Sequence, residues 1–213
     1  MIDQDATART YNRWAGGYDR RWRHYTDVTL AYLLDHLALE RYGDILDVGC
    51  GTGTLLRHLG PRTPGARLFG VDASTGMLRI ARRKLAGQEV DLRLAHACRL
   101  PFANGTMDLV AMASMLHYLK QPSVACAEAR RILRPGGALA VVDYLPRGRQ
   151  GSAMDGLIRF YDRGHIRSRG GAELSAILAY AGFRAIQSAD FPIDRIFRGV
   201  FTLGILPPAP PAP

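Results

Sequence analysis

The chain has 213 residues, room for one domain with a real core but short for two. Hydrophobic residues make up 47%, which argues against a disordered chain, and no apolar run approaches the roughly 20 residues that span a bilayer. The net charge is +9, from 28 basic and 19 acidic residues, yet the basic residues are scattered and the longest run is Arg82–Lys84, so solvated surface is favoured over a nucleic-acid footprint.

Three cysteines, Cys50, Cys98 and Cys126, form no C-x-x-C pair, so neither a disulfide framework nor a zinc site is expected. The opening "MIDQDATART" lacks the apolar stretch of a secretion signal, and a cytoplasmic protein is expected.

In chain order, residues 1–43 carry an aromatic and charged helical pattern, "YNRWAGGYDRRWRHY" followed by "TDVTLAYLLDHLALERYG". From there strand-like and helix-like runs alternate. Strands are predicted at 44–49, 67–72, 90–96, 107–114 and 137–144, and helices at 52–60, 74–86 and 121–133. In the second helix Met77, Leu78, Ile80, Ala81 and Leu85 share one face; in the third Val124, Ala127, Ala129, Ile132 and Leu133 do so. Ser74 can cap the second helix, and "RPGG", with Pro135 and two glycines, closes the third.

A further helix at 170–183 stops at Gly182, and two strand-like runs, 184–190 and 192–203, follow with no helix between them. Such a pair is antiparallel, whereas strands separated by helices pair in parallel through right-handed crossovers. The pattern predicts a doubly wound α/β sheet of seven strands, mostly parallel with an antiparallel last strand. Ligands bind at the carboxyl ends of such strands. The N-terminal helical lid (1–43) and the insert at 145–169 are the expected covers of that edge. The organisation is one domain over 1–206, with 44–144 as its binding core, 170–206 as a C-terminal helix and strand pair, and 207–213 as a loose Pro/Ala tail.

The first strand runs into "DVGCGTG", a glycine loop with an acid, Asp47, before it. Gly49, Gly51 and Gly53 read G-x-G-x-G rather than G-x-G-x-x-G, and no G-K-[ST] follows, so the dinucleotide and P-loop patterns both fail. An acid beside a pyrophosphate would also repel it. A ligand with an amino acid end removes the conflict: its amino group faces the acid and its carboxylate takes N–H donors. Asp72 ends the second strand, where an acid bonds a ribose diol. An amino acid, a ribose and no phosphate describe S-adenosylmethionine.

The same residues carry a resemblance. "ILDVGCGTG", "GVDAS", "LAHACRLPFANGTMDLV", "ASMLHYL" and "EARRILRPGGALAVVDY", in that order, resemble the five motifs of class I S-adenosylmethionine-dependent methyltransferases, which have a Rossmann-like fold. "YNRWAGGYD" is similar to the start of the small-molecule branch that includes the ubiquinone and menaquinone C-methyltransferases. The resemblance implies that Asp47, Gly49, Cys50, Gly51 and Gly53 hold the methionine end. Asp72 would bond the ribose, with Ala73 and Met77 against the adenine and Ala97 and Cys98 at its edge. Ser114 and Leu116 would lie near the sulfonium, and Tyr11 and Tyr18 would close over the carboxylate. In place of the acid that accepts from the adenine amino group in this family, the chain has His96. S-Adenosylhomocysteine would be the product.

For chemistry on the acceptor, His117 follows the fourth strand and reads as a general base or as a group that orients the acceptor. Trp14, Asp143, Tyr161, His165 and Arg167 are candidate acceptor contacts, against the plainer reading as packing or surface. No metal-ligand spacing is present. Three functions stay open: methyl transfer to a small molecule, the same transfer to a quinone precursor or phospholipid at a membrane face, and a cofactor-binding scaffold or non-methylating catalyst on the same fold. The motifs specify neither the acceptor atom nor the oligomeric state.

Overall fold

The computed structural model describes residues 4–161 and 164–208, with side chains from residue 7 to 160 and from 164 to 208. Two helices open the chain, α1 (Gln4–Trp14) and α2 (Tyr18–Asp35). The alternating part follows as β1 (Asp44–Val48), α3 (Thr54–Arg62), β2 (Arg67–Asp72), α4 (Thr75–Lys84), β3 (Val90–Leu94), β4 (Met107–Ala113), α5 (Pro122–Ile132) and β5 (Leu133–Pro146). It ends with α6 (Gly148–Tyr161), α7 (Gly171–Tyr180), β6 (Arg184–Pro192) and β7 (Phe197–Ile205). The tail residues 209–213 lie outside the described residues.

The seven strands form one sheet in the order β3-β2-β1-β4-β5-β7-β6. β1 pairs in parallel with both β2 and β4, so the strand order reverses at β1/β4 and a crevice opens beyond their carboxyl ends. β7 runs antiparallel to β5 and to β6. Every residue of β1 is buried, as a central strand covered on both faces must be. Alternate residues feed two cores. Ile45 and Leu109 face α2, α3 and α4, with Leu33, Leu56 and Leu78. Leu46 and Val110 face α5 and α7, with Cys126, Ile132 and Leu178.

Several local expectations hold. Ser74 caps α4, its Oγ accepting from Met77 N–H at 3.1 Å. Gly182, at φ 96°, ends α7, and Phe183 N–H returns to Leu178 C=O at 3.0 Å. Other boundaries move. The "RPGG" run does not close a helix: α5 stops at Ile132, and Leu133 is already extended and paired with Met107. The Pro and Gly residues fall in a register shift between Met107 and Leu109, with Gly136 at φ 83°. In α5, Val124 and Ala127 are exposed, and the buried face is Pro122, Ala125, Cys126, Ala129 and Ile132. β7 starts at Phe197 rather than at 192, because Asp194 Oδ1 accepts from Ile196 and Phe197 N–H and holds a turn there.

The amino-end edge of the sheet is tied by charge. Asp108 Oδ2 accepts from the N–H groups of Gly43 and Asp44, and Arg134 bridges Asp108 and Asp44 at 2.5 and 2.8 Å. Arg67 reaches Asp44 at 2.7 Å. Burial alone would raise the Asp44 carboxyl, but the two guanidinium groups hold it below its usual range. Its stabilising contribution is therefore present above the ordinary carboxylate range and is lost as pH falls through the native value. Asp44→Asn is expected to lower unfolding free energy by about 2 kcal/mol at neutral pH. Urea titrations should show that difference shrinking at acid pH, where the native carboxyl also protonates.

Candidate functional site

Two adjoining cavities open at the carboxyl edge. The larger, about 380 Å³, is bounded by Gly49 and Gly51 after β1, Asp72, Ala73, Ser74 and Met77 after β2, and His96, Ala97 and Cys98 after β3. Ser114, Met115, Leu119 and Val124 close it from the β4 side, and Tyr11 and Tyr18 from the lid.

Beyond β1 the chain must reverse within a few residues, and Gly49, Gly51 and Gly53 take φ of 74°, 54° and 79°. The loop turns its donors inward. Gly49 and Cys50 N–H both donate to Val71 C=O, Gly51 N–H to Asp72 Oδ2 at 2.9 Å, and Gly53 N–H to Cys50 C=O. This corrects the picture of glycine amides waiting for an anion: these four are engaged within the protein, which is a further reason why the loop is no phosphate cradle. Asp72 takes Ser74 N–H on its other oxygen at 2.8 Å. Burial raises its carboxyl, against the lowering by those N–H donors.

Asp47, Cys50, Gly53 and Leu116 are buried behind the cavity and do not line it. Asp47 is 2% exposed and its Oδ1 has no hydrogen-bond partner. Burial, with Asp72 nearby, pushes its carboxyl up to about 8.

The second cavity, about 230 Å³, is walled by aromatic rings: Tyr11, Tyr18, Trp22, Tyr25, Tyr118, Tyr144 and Phe197. Ser114 and His117 enter it from the segment after β4, and Arg21, His24, Ile158 and Asp194 complete it. Tyr11, Tyr18, Ser114 and Tyr118 line both cavities. Tyr11 and Tyr118 are joined by a hydroxyl–hydroxyl bond. Ser114 holds φ 56°, uncommon for a residue with a Cβ, and its hydroxyl meets Tyr25 Oη at 2.7 Å.

His117 and Asp143 are both buried, with Nδ1 2.7 Å from Asp143 Oδ1, and Oδ2 of the same carboxylate accepts His117 N–H. A carboxylate only accepts, so Nδ1 carries a proton, and in the neutral ring Nε2 keeps its lone pair. The 165–169 stretch, expected as a cover, instead braces this turn from behind. Ile166 N–H donates to His117 C=O, and the buried Arg169 guanidinium donates to Leu116 and Leu119 C=O at 2.8 and 2.9 Å.

His165 is buried beside Tyr144 and His117 rather than lining a cavity, and its Nε2 lies 3.2 Å from Asp155. Arg167 is half exposed and pairs with Glu173, away from both cavities. Trp14 packs edge-on to Tyr11 under the Arg21 guanidinium and lines neither cavity. The Tyr161 side chain lies outside the described residues.

Sequence reasoning missed Asn12, Tyr25 and Tyr118. Asn12 Oδ1 accepts from Gly76 N–H at 2.7 Å and from the Ser74 hydroxyl at 2.8 Å, tying α1 to the start of α4. Nothing local in the sequence announces that bond. Tyr25 had a signal: Tyr18, Trp22 and Tyr25 recur at helical spacing and share one face of α2.

The methyltransferase domain family matches residues 46–141. The chain is 32% identical over 187 residues to a ubiquinone/menaquinone biosynthesis C-methyltransferase of Desulfotalea psychrophila, covering 86% of this chain and 72% of the relative. It is also 32% identical to a malonyl-[acyl-carrier protein] O-methyltransferase of Geobacter sulfurreducens, covering 89% and 74%. Among solved structures, the putative methyltransferase of Haloferax volcanii, complexed with its Trm112 activator, matches with a TM-score of 0.78 at 21% identity, over 92% of this chain and 97% of that one. That last likeness concerns the fold alone. With relatives this similar over this much of both chains, the protein belongs to the S-adenosylmethionine-dependent methyltransferases. It is an enzyme of that class, and its cofactor is S-adenosylmethionine. The cavity fits that cofactor on its own terms: an acid at the β2 end, a buried acid with an unmet acceptor behind the wall, and a loop whose Gly49, Cys50, Gly51 and Gly53 amides are spent within the protein.

Asp47 yields a stability prediction for the ligand-free protein. Its native carboxyl holds a proton that a carboxyl of ordinary value 3.8 gives up, so it favours the folded state at acid pH. That contribution is lost as pH rises toward about 8. Asp47→Asn should therefore gain melting temperature over the native chain progressively from pH 5 to pH 8, then hold level. A melting difference that does not change with pH would show that Asp47 ionises normally.

Proposed function

We propose that the enzyme methylates a small, flat acceptor carrying an ionisable X–H, such as a phenol or a comparably acidic N–H or C–H, seated in the aromatic cavity. The observation that carries this reading is the buried His117–Asp143 pair beside the rings shared by both cavities. Bound in the larger cavity, S-adenosylmethionine supplies a methyl group already activated on a sulfonium and leaves as S-adenosylhomocysteine. In this reading Asp72 would bond the ribose hydroxyls and Ala73 and Met77 would pack on the base, while Asp47, protonated behind the empty cavity, would ionise once the cationic amino acid end lies in front of it. Tyr11 and Tyr18 cover the site and exclude water.

His117 Nε2 takes the acceptor's proton, and Asp143 stabilises the imidazolium that forms and holds the ring in place. Aromatic walls present apolar faces to a planar acceptor and favourable quadrupoles to a nearby cation. An acceptor already ionised would leave the pair without a task. A volume of about 230 Å³ suits a small acceptor or the reactive end of a longer one.

A second reading places the acceptor at a lipid surface. It is supported by Met154, Leu157 and Phe160, exposed on α6, the helix whose Ile158 lines the aromatic cavity. Salt-sensitive binding to anionic vesicles would favour it.

Turnover should be followed as S-adenosylhomocysteine formed in step with methylated product across a panel of phenols, hydroxy-heteroaromatics and carboxylates. His117→Ala should lower kcat by roughly 10²–10⁴-fold at neutral pH. Its Kd for S-adenosylhomocysteine should stay within about twofold, and its residual rate should climb with pH as the acceptor ionises unaided. Activity confined to carboxylates and indifferent to His117 would sink the reading.

A further inference from the structure

His96 stands at the larger cavity with its two ring nitrogens already assigned. Nδ1 accepts the N–H of Cys98 at 3.2 Å, within a tight turn in which Arg99 N–H also donates to His96 C=O at 2.9 Å. A nitrogen that accepts from a backbone amide bears no proton, so in the neutral ring the proton sits on Nε2. Burial lowers the His96 pKa and keeps the ring neutral near pH 7. The nitrogen left for a ligand is therefore a donor.

A carboxylate at this point would only accept. The 6-amino group of adenine donates, so it pairs with a carboxylate but not with an Nε2–H. The imidazole can pair with a purine ring nitrogen or with an oxygen at the 6-position. The other groups at the cavity do not reverse this. Glu128 does not line it, and its carboxylate is taken up by Leu100 N–H and Arg131. Asp72 is the one acid among the described lining residues, and the amides of Gly51 and Ser74 hold its carboxylate at the β2 end. Gln121 lines the cavity too, but its amide offers both a donor and an acceptor and so demands neither partner.

We propose that His96 is a specificity-determining residue that reads the cofactor's base as a hydrogen-bond donor, so that the site accepts a 6-oxopurine cofactor as well as an adenine one. The inference rests on the reading that the larger cavity holds the cofactor. Its physical basis is asymmetric: an Nε2–H finds an acceptor on either base, a ring nitrogen of adenine or the 6-oxygen of an oxopurine, whereas a carboxylate facing that oxygen is left unpaired.

Calorimetric titration at about pH 7.5 with S-adenosylhomocysteine and S-inosylhomocysteine tests it, on the native chain and on His96→Asp. The native chain should bind the two within about threefold, while the variant should prefer the adenosyl ligand by about thirtyfold or more. Tight adenosyl binding by the native chain with rejection of the inosyl ligand overturns the inference alone. Failure of both ligands overturns the cofactor reading and the inference with it. A measurement on the native chain also stands apart from the variant's folding: nitrogen NMR of histidine-labelled protein should show His96 Nδ1 as the unprotonated nitrogen, and a protonated Nδ1 overturns the proposal.

Discussion

The groups that the first five strands bring to the two cavities meet there because those strands share one direction. β1 to β5 run parallel, so each ends at the same edge of the sheet. Gly49, Asp72, His96 and Ser114 belong to four separate stretches of sequence and meet because each lies at or just past a strand's carboxyl end, while Asp143, near the end of β5, backs His117. The reversal of strand order at β1/β4 leaves that edge open at its middle. β7 points the other way and contributes pairing, with Phe197, at its start, reaching the aromatic cavity. The charged ties of Asp44, Asp108, Arg67 and Arg134 lie at the opposite edge, where rigidity does not interfere with binding.

At the open edge the sheet gathers several unfavourable features. Asp47 is a buried carboxyl with an unmet oxygen, Asp72 sits a short distance away, and Ser114 is held at a positive φ. Each is unfavourable alone, since an unpaired buried carboxyl resists ionisation and a left-handed backbone strains a residue with a Cβ. The His117–Asp143 pair differs, because each group satisfies the other and Arg169 holds the backbone beneath them. The ligand-free protein thus holds one satisfied buried pair, His117–Asp143, and one buried carboxyl with an unmet oxygen, Asp47.

The fold was legible because its signals are local. Apolar strands, Ser74 as cap and Gly182 as stop each act within a few residues. The errors arose where distant partners decide. Pro135 and its glycines read as a helix stop, yet pairing of Leu133 with Met107 draws them into a strand. Val124 read as core because it is apolar, but it faces the larger cavity. In the same way the cavity-lining roles of Asp72 and His96 follow from their place after a strand. The bond of Asn12 to α4, and the turn of 165–169 behind His117, depend on contacts far apart in sequence.

Those distant contacts also join the lid to the cofactor site. Ser74 Oγ receives Met77 N–H and donates to Asn12, and Asn12 holds Gly76 N–H as well. The residues that position the start of α4 are thus the ones that hold α1, and α1 carries Tyr11 to its bond with Tyr118 between the two cavities. The seating of α1, the order at the start of α4 and the Tyr11–Tyr118 partition between the cavities are then one cooperative arrangement, because loss of any of these bonds leaves its partners with unpaired polar groups.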